Sequence, residues 1–221
     1  MRKILKVKAV IFDMDGVITN TMPDHFRAWK HILGGCGIHV SHLDVYKREG
    51  QRGISSVFEI FKEHNQKCDK KTAEWILRKK ERFFKKNARR RFIPGSRRLL
   101  KGLHRRGFKL ALVTGTSRHE LHRILPDYLY NLFDVIVTGT DVRRGKPHPE
   151  PYRKALKELT VRPGEAVVIE NAPFGIQSAQ KAKIRCFAVQ TSLPAGHIKQ
   201  ADRCFVSIKD LRRKVKFALW E

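Results

Sequence analysis

Lys8-Ala9-Val10-Ile11-Phe12-Asp13-Met14-Asp15-Gly16 decides how the chain is to be read. An unbroken apolar run that ends in a carboxylate is the pattern of a strand buried on both faces of a parallel sheet. Similar runs lie at 109–113, 134–139, 166–171 and 185–189, with a weaker one at 203–206. Helical periodicity fills the intervals at 96–106, 118–132, 150–159 and 173–183. This alternation predicts an α/β fold, a doubly wound and mostly parallel sheet. Ligands of such sheets sit outside the carboxyl ends of the strands. Asp13, Thr114 and Glu170-Asn171, which close three of the runs, are therefore expected to converge.

From Thr19 to Arg91 the alternation stops. The pattern there is helical throughout, over 22–33, 41–47, 54–64 and 70–89, until Ile93-Pro94-Gly95 returns the chain to the sheet. The expected organisation is an α/β core of residues 1–18 and 92–221 with an inserted all-helical cap domain, residues 19–91. An insertion directly after the first strand lies over the carboxyl edge, where it acts as a lid.

The formal net charge is +26, with 47 Lys and Arg against 21 Asp and Glu, so the surface is not a balanced ion-pair network. Nucleic-acid binding and steering of phosphorylated substrates are two readings of that excess. The cations are spread along the chain, which favours a generally basic surface, and nucleic acid is not the expected partner. Cys36, Cys68, Cys186 and Cys204 are far apart and form no C-x-x-C pair, so reduced thiols are expected. The start of the chain is too short for a signal peptide, and no later apolar run reaches the ~18 residues of a membrane span. A cytoplasmic monomer, with no membrane partner, is the expectation.

The chemistry-bearing residues sit at the strand ends. Asp13 is placed to attack a phosphoryl group and form an aspartyl-phosphate. Asp15, two residues on along an extended chain, lies on the same side and is placed to act as acid and base. Thr114, Gly115 and Thr116 form a hydroxyl-bearing strand-to-helix turn suited to a phosphate. Lys146, in a loop stiffened by Pro147 and Pro149, supplies the cation that phosphoryl transfer needs. Glu170 and Asn171, with Asp13 and the Asp15 backbone carbonyl, make a hard oxygen set for Mg²⁺. Taken singly these residues also fit ordinary turns, caps and surface positions; their order along successive strand ends is what carries the reading.

These motifs resemble those of the haloacid dehalogenase-like hydrolases, and specifically their β-phosphoglucomutase-like branch. The matching segments are Phe12-Asp13-Met14-Asp15-Gly16, Leu112-Val113-Thr114-Gly115-Thr116, Gly145-Lys146-Pro147 and Val168-Ile169-Glu170-Asn171, continuing through Pro173-Phe174-Gly175-Ile176. The resemblance implies a nucleophile at Asp13, an acid/base at Asp15, phosphate ligands at Thr114 and Lys146, and Mg²⁺ as cofactor. Gly16 to Thr21 and His25 to Trp29 resemble the start of the mutase cap, which implies a hinge role for Thr21 and an Asp15-orienting role for His25. Two departures stand out. Asn171 replaces the usual Asp, and a gapless alignment through Gly53 puts Ser56 where the mutase has a phosphate-gripping Arg. Arg52 or Arg48 is the expected substitute, with Lys79 or Lys80 as the second cap cation. The expected activity is Mg²⁺-dependent hydrolysis of a small phosphorylated metabolite such as a sugar phosphate. A hexose-phosphate mutase is the alternative, and a dehalogenase or a nucleic-acid-binding module stands further off.

Overall fold

A computed structural model describes residues 3–220. The chain runs β1 (Lys3–Val7), β2 (Ala9–Phe12), then four helices α1 (Met22–Gly34), α2 (His42–Tyr46), α3 (Gly53–Glu63) and α4 (Lys70–Asn87). It continues through α5 (Ser96–His104), β3 (Lys109–Val113), α6 (Arg118–Ile124), α7 (Asp127–Tyr130), β4 (Val135–Val137) and α8 (Glu150–Leu159). Last come β5 (Ala166–Glu170), α9 (Pro173–Lys181), β6 (Arg185–Val189), α10 (Ala195–Ile198), β7 (Arg203–Phe205), α11 (Ile208–Lys214) and β8 (Val215–Leu219).

Six strands form one parallel sheet in the order β4-β3-β2-β5-β6-β7. Every residue of β2 and β5 is buried, which explains their continuous apolar runs. The strand order departs in both directions from β2, so the chain just past Phe12 emerges at the topological switch point, where a crevice opens. Two apolar layers cover the faces of the sheet: Val10, Phe12, Leu110 and Leu112 point into one, and Ile11, Ala111, Val113 and Val168 into the other. The helices between Met22 and Asn87 enclose a third cluster around Trp29, Leu33, Ile60 and Ile76. Phe84 of α4 belongs to the sheet-side cluster with Val17 and Ile18, so this helix is anchored to both.

Two elements differ from the sequence reading. The expected helix over 118–132 is broken: α6 ends at Ile124, Leu125 is extended (φ −101°, ψ 113°), and Pro126 precedes a separate short α7. Proline restricts the residue before it to extended backbone and offers no N–H to continue the ladder. At the N-terminus, β1 pairs in parallel with β8 as a separate two-stranded ribbon. Its alternating exposed and buried pattern, with Lys3, Ile4 and Lys6 outside, hides it among basic residues. All four cysteines are free thiols. Among the described residues no helix is long and apolar enough to cross a membrane.

Candidate active site

Asp13 is the first residue after β2 and is fully buried. Lys146, itself 1% exposed, donates to Asp13 Oδ1 at 2.7 Å, to Glu170 Oε1 at 2.8 Å and to the Val113 carbonyl at 3.1 Å. One cation thus ties together the ends of β2, β3 and β5. Although burial opposes its charge, the two carboxylates raise the Lys146 pKa. Burial pushes Asp13 the other way from an ordinary carboxylate, up to about 8, helped by Glu170 and Asp15 and opposed by Lys146.

Asp15 is equally buried, and five side chains surround its carboxylate. The Thr21 hydroxyl donates to Oδ1, and Thr19 (3.5 Å) and His25 Nε2 (3.3 Å) reach the same oxygen. Thr116 (3.2 Å) and Thr114 (3.4 Å) donate to Oδ2. Burial alone raises such a group, but His25, Thr21 and Thr116 outweigh it and hold Asp15 below the usual carboxylate pKa. His25 stacks on Phe84 with centroids 4.1 Å apart, and Lys80 Nζ lies 3.0 Å from its Nδ1. Burial and then Lys80 lower the His25 pKa, so the neutral ring accepts from Lys80 and donates through Nε2 to Asp15.

The expected metal ligands divide. Glu170 is fully engaged: Oε1 accepts from Lys146 and the Tyr152 hydroxyl (3.0 Å), and Oε2 accepts the N–H groups of Asn171 (2.7 Å) and Ala172 (3.0 Å). Its carboxylate is built into the frame, and a Cβ on Gly175 would lie 1.6 Å from Oε1, so α9 packs against it as closely as glycine allows. The oxygens left over are Asp13 Oδ2 and Asn171 Oδ1, both buried without a partner. Asn171 Nδ2 donates to Ser192 Oγ at 2.8 Å, which fixes the amide. Among the described residues no three His, Cys, Asp or Glu side chains form a metal cage. Two orphaned buried oxygens nevertheless fit a hard cation completed by water and phosphate oxygens.

A cavity of about 550 Å³ opens beside this cluster, between the strand ends and α1–α4. Thr116, His25, Arg52 and Lys80 line it. Lys79 does not: it is exposed and lies over Trp75. Lys80, one residue further round α4, is buried. Arg52 donates to the Arg143 carbonyl at 2.6 Å, joining the loop before α3 to the loop after β4. Arg48 is turned to Glu59 and Glu63. Ser56 donates to Gln51. A Cβ on Gly115 would lie 2.7 Å from the Gln51 carbonyl, so the loop of residues 48–53 sits on the phosphate turn in backbone contact. Sequence reasoning missed Tyr152, which reads as an apolar helix position, and Ser192, which carries no motif.

A buried aspartate pair at a switch point, a lysine bridging it to a strand-end acid, and helices closing above it are the parts of one fold family. The profile of the haloacid dehalogenase-like hydrolases matches residues 10–189. The chain is a haloacid dehalogenase-like hydrolase. It is 35% identical to the phosphorylated carbohydrates phosphatase of Thermotoga maritima, over 86% of this chain and 88% of that one. It is 30% identical to the β-phosphoglucomutase of Bacillus subtilis, over 97% and 96%. Among solved structures, a candidate β-phosphoglucomutase from Bacteroides vulgatus superposes with a TM-score of 0.84 at 32% identity, covering 96% of this chain and 88% of that one. This haloacid dehalogenase-like chain is therefore an enzyme of phosphoryl transfer, and the family generally uses Mg²⁺.

Proposed function

We propose that the chain is a phosphatase of small phosphorylated metabolites, sugar monophosphates among them, and that residues 19–91 are its cap. The observation that carries this reading is the pairing of Asp13, whose Oδ2 is buried and unpartnered, with Asp15, which His25, Thr21 and Thr116 hold below the usual carboxylate pKa so that it gives up a proton readily. Asp13 attacks phosphorus, the bond to the leaving oxygen breaks, and that oxygen takes the proton carried by Asp15. Asp15 is then a carboxylate, the form its surroundings favour. It takes a proton from water as the water oxygen attacks phosphorus and the Asp13 oxygen departs. Free phosphate, a free Asp13 and a protonated Asp15 remain, so the cycle closes. Lys146 and the Thr114-Gly115-Thr116 turn offset and position the phosphate. Asp13, Asn171 and the Asp15 backbone carbonyl would hold Mg²⁺, whose charge favours the ionised nucleophile and offsets that of the phosphate.

A hexose-phosphate mutase is the second reading, favoured by one observation: Thr21 and His25 of the helical segment reach Asp15 itself, and Lys80 backs His25. In a mutase the sugar hydroxyl, rather than water, meets that base. Phosphate release from a panel of phosphomonoesters with Mg²⁺, run beside β-glucose 1-phosphate isomerisation, separates the two. Glucose 6-phosphate formation that requires a bisphosphate activator would overturn the phosphatase reading.

A further inference from the structure

The cations of this chain are scattered in sequence, but the fold gathers one block of them. From Arg82 to His119 there is no Asp or Glu, and the stretch carries thirteen Lys and Arg, half of the formal excess of +26. Helix α5 comes from the middle of it. It buries Leu99, Leu100 and Leu103 against the sheet, which turns Arg97, Arg98 and Lys101, with Arg105 just past its end, outward. Gly95, at φ +91°, starts the helix so close to α11 that a Cβ there would lie 3.3 Å from Lys209 Cγ. Arg97, Lys101 and Arg105 recur every four residues and so form a row about 12 Å long.

An open groove of about 930 Å³ runs between this row and Lys209 and Arg212 of α11, with Tyr128 of α7 and Leu132 completing the lining. Among the described residues no Asp or Glu lines it. Asp210, the one acid of α11, is 9% exposed and bound to Arg213 and Lys214. Among the described residues none of the six Lys and Arg has an acidic partner; Arg97 and Lys101 pack instead on the rings of Phe92 and Tyr128, 4.9 and 5.0 Å from their centroids. Like charges held together this way favour an anion that spans them. A small anion reaches only a few. Stacked nucleotides place a phosphate about every 3.4 Å, so a 12 Å row matches three to four of them. Tyr128, 48% exposed beside Lys101, supplies a ring on which a base stacks. A lipid surface fits less well, since the groove is concave and its aliphatic lining residue, Leu132, is half-buried. No residue of this groove lines the active-site cavity.

We propose that the groove between α5 and α11 binds the sugar-phosphate backbone of a single-stranded nucleic acid, with Tyr128 stacking on a base. The proposal goes beyond the phosphatase reading and does not depend on it. Fluorescence anisotropy of the full chain with a labelled oligouridylate or oligothymidylate of about 12 nucleotides tests it. A micromolar Kd is expected at about 100 mM KCl, with a log–log salt slope of about −4 for six cations, and the tighter strand tells RNA from DNA. The triple variant Arg98→Gln, Lys101→Gln, Arg212→Gln should weaken binding about 10-fold or more and make the slope shallower by about 2. Tyr128→Ala should weaken it about 5-fold or more. The control Lys157→Gln, Lys181→Gln, Lys199→Gln removes three exposed cations over the other face of the sheet and should leave Kd within about 3-fold. Circular dichroism melts check that each variant is folded. Absence of binding at about 100 mM KCl, equal weakening in the two triple variants, or a duplex preferred to the strand with Tyr128→Ala unaffected would overturn the proposal. Stronger capture by phosphatidylserine vesicles than by either strand would assign the groove to a membrane and overturn it as well.

Discussion

On the strand side of the cavity, Asp13 and Thr114 stand one residue past β2 and β3, and Glu170 is the last residue of β5. Lys146 links these ends through bonds of 2.7–3.1 Å, so their positions follow from strand register. On the helical side, Glu49 comes from a loop, His25 from α1 and Lys80 from α4, and each points inward only because the helices pack over the sheet. The first wall is a fixed frame that carries the phosphoryl chemistry. The second is assembled by tertiary packing, and it supplies Asp15 with partners and the leaving group with its surroundings.

Removing the nucleophile should give the largest effect. Asp13→Asn keeps an acceptor for Lys146 but cannot form the acyl phosphate, so kcat is expected to fall on the order of 10⁴-fold or more with the fold intact. Phosphate-release assays and circular dichroism check this together. Turnover near wild type would break the assignment of the strand-side wall to the chemistry.

Lys146→Ala probes the same wall through stability. The substitution strands Asp13 and Glu170 beside each other in a fully buried site, and breaking a buried pair from one side costs about 3–5 kcal/mol. Urea denaturation should show that loss along with the loss of activity. A stability within about 0.5 kcal/mol of wild type would mean that Lys146 is not part of the frame.

The contrast between the walls also explains what the sequence made legible. A strand buried on both faces is written as an apolar run, so β2, β3 and β5 and the residues that end them could be read directly, as could the break to all-helical pattern after Thr19. The β1–β8 ribbon alternates exposed and buried residues with period 2 and is masked by its lysines. The break at Pro126 was written in the chain but outweighed by the helical periodicity on either side. In sequence Glu170 stands beside Asn171 as a metal-ligand candidate, and nothing local records the bonds from Lys146, Tyr152 and two backbone N–H groups that its oxygens accept. Glu49, Glu81 and Glu120 look like surface glutamates in sequence, since nothing local records that a cavity closes around them.

A moderate effect is expected on the helical wall. Lys80→Met removes the charge behind His25, which leaves Asp15 less firmly oriented, and kcat should fall about 10- to 100-fold, a part of what general acid–base catalysis contributes. The sign of the accompanying titration is fixed. Burial and then Lys80 lower the His25 pKa from its ordinary 6.5, while Asp15 raises it. Without Lys80 the His25 pKa must rise, and NMR titration of the ring protons should show the midpoint moving upward. An unmoved midpoint would disconnect Lys80 from His25 and reduce the helical wall to packing.

Lys79→Ala should do least, and it sharpens the comparison because it differs from the previous change by one position on the same helix. Successive residues on α4 are turned about 100° apart. That rotation takes the side chain from the buried contacts with His25, Trp29 and Phe84 to an exposed place over Trp75. An exposed cation–π contact contributes only about 0.5–1 kcal/mol, and the cavity loses nothing with it. Activity within about 2-fold of wild type is therefore expected, with at most a small drop in stability. A Lys79→Ala variant as impaired as Lys80→Met would mean that the cation of the helical wall has been placed one residue out of register.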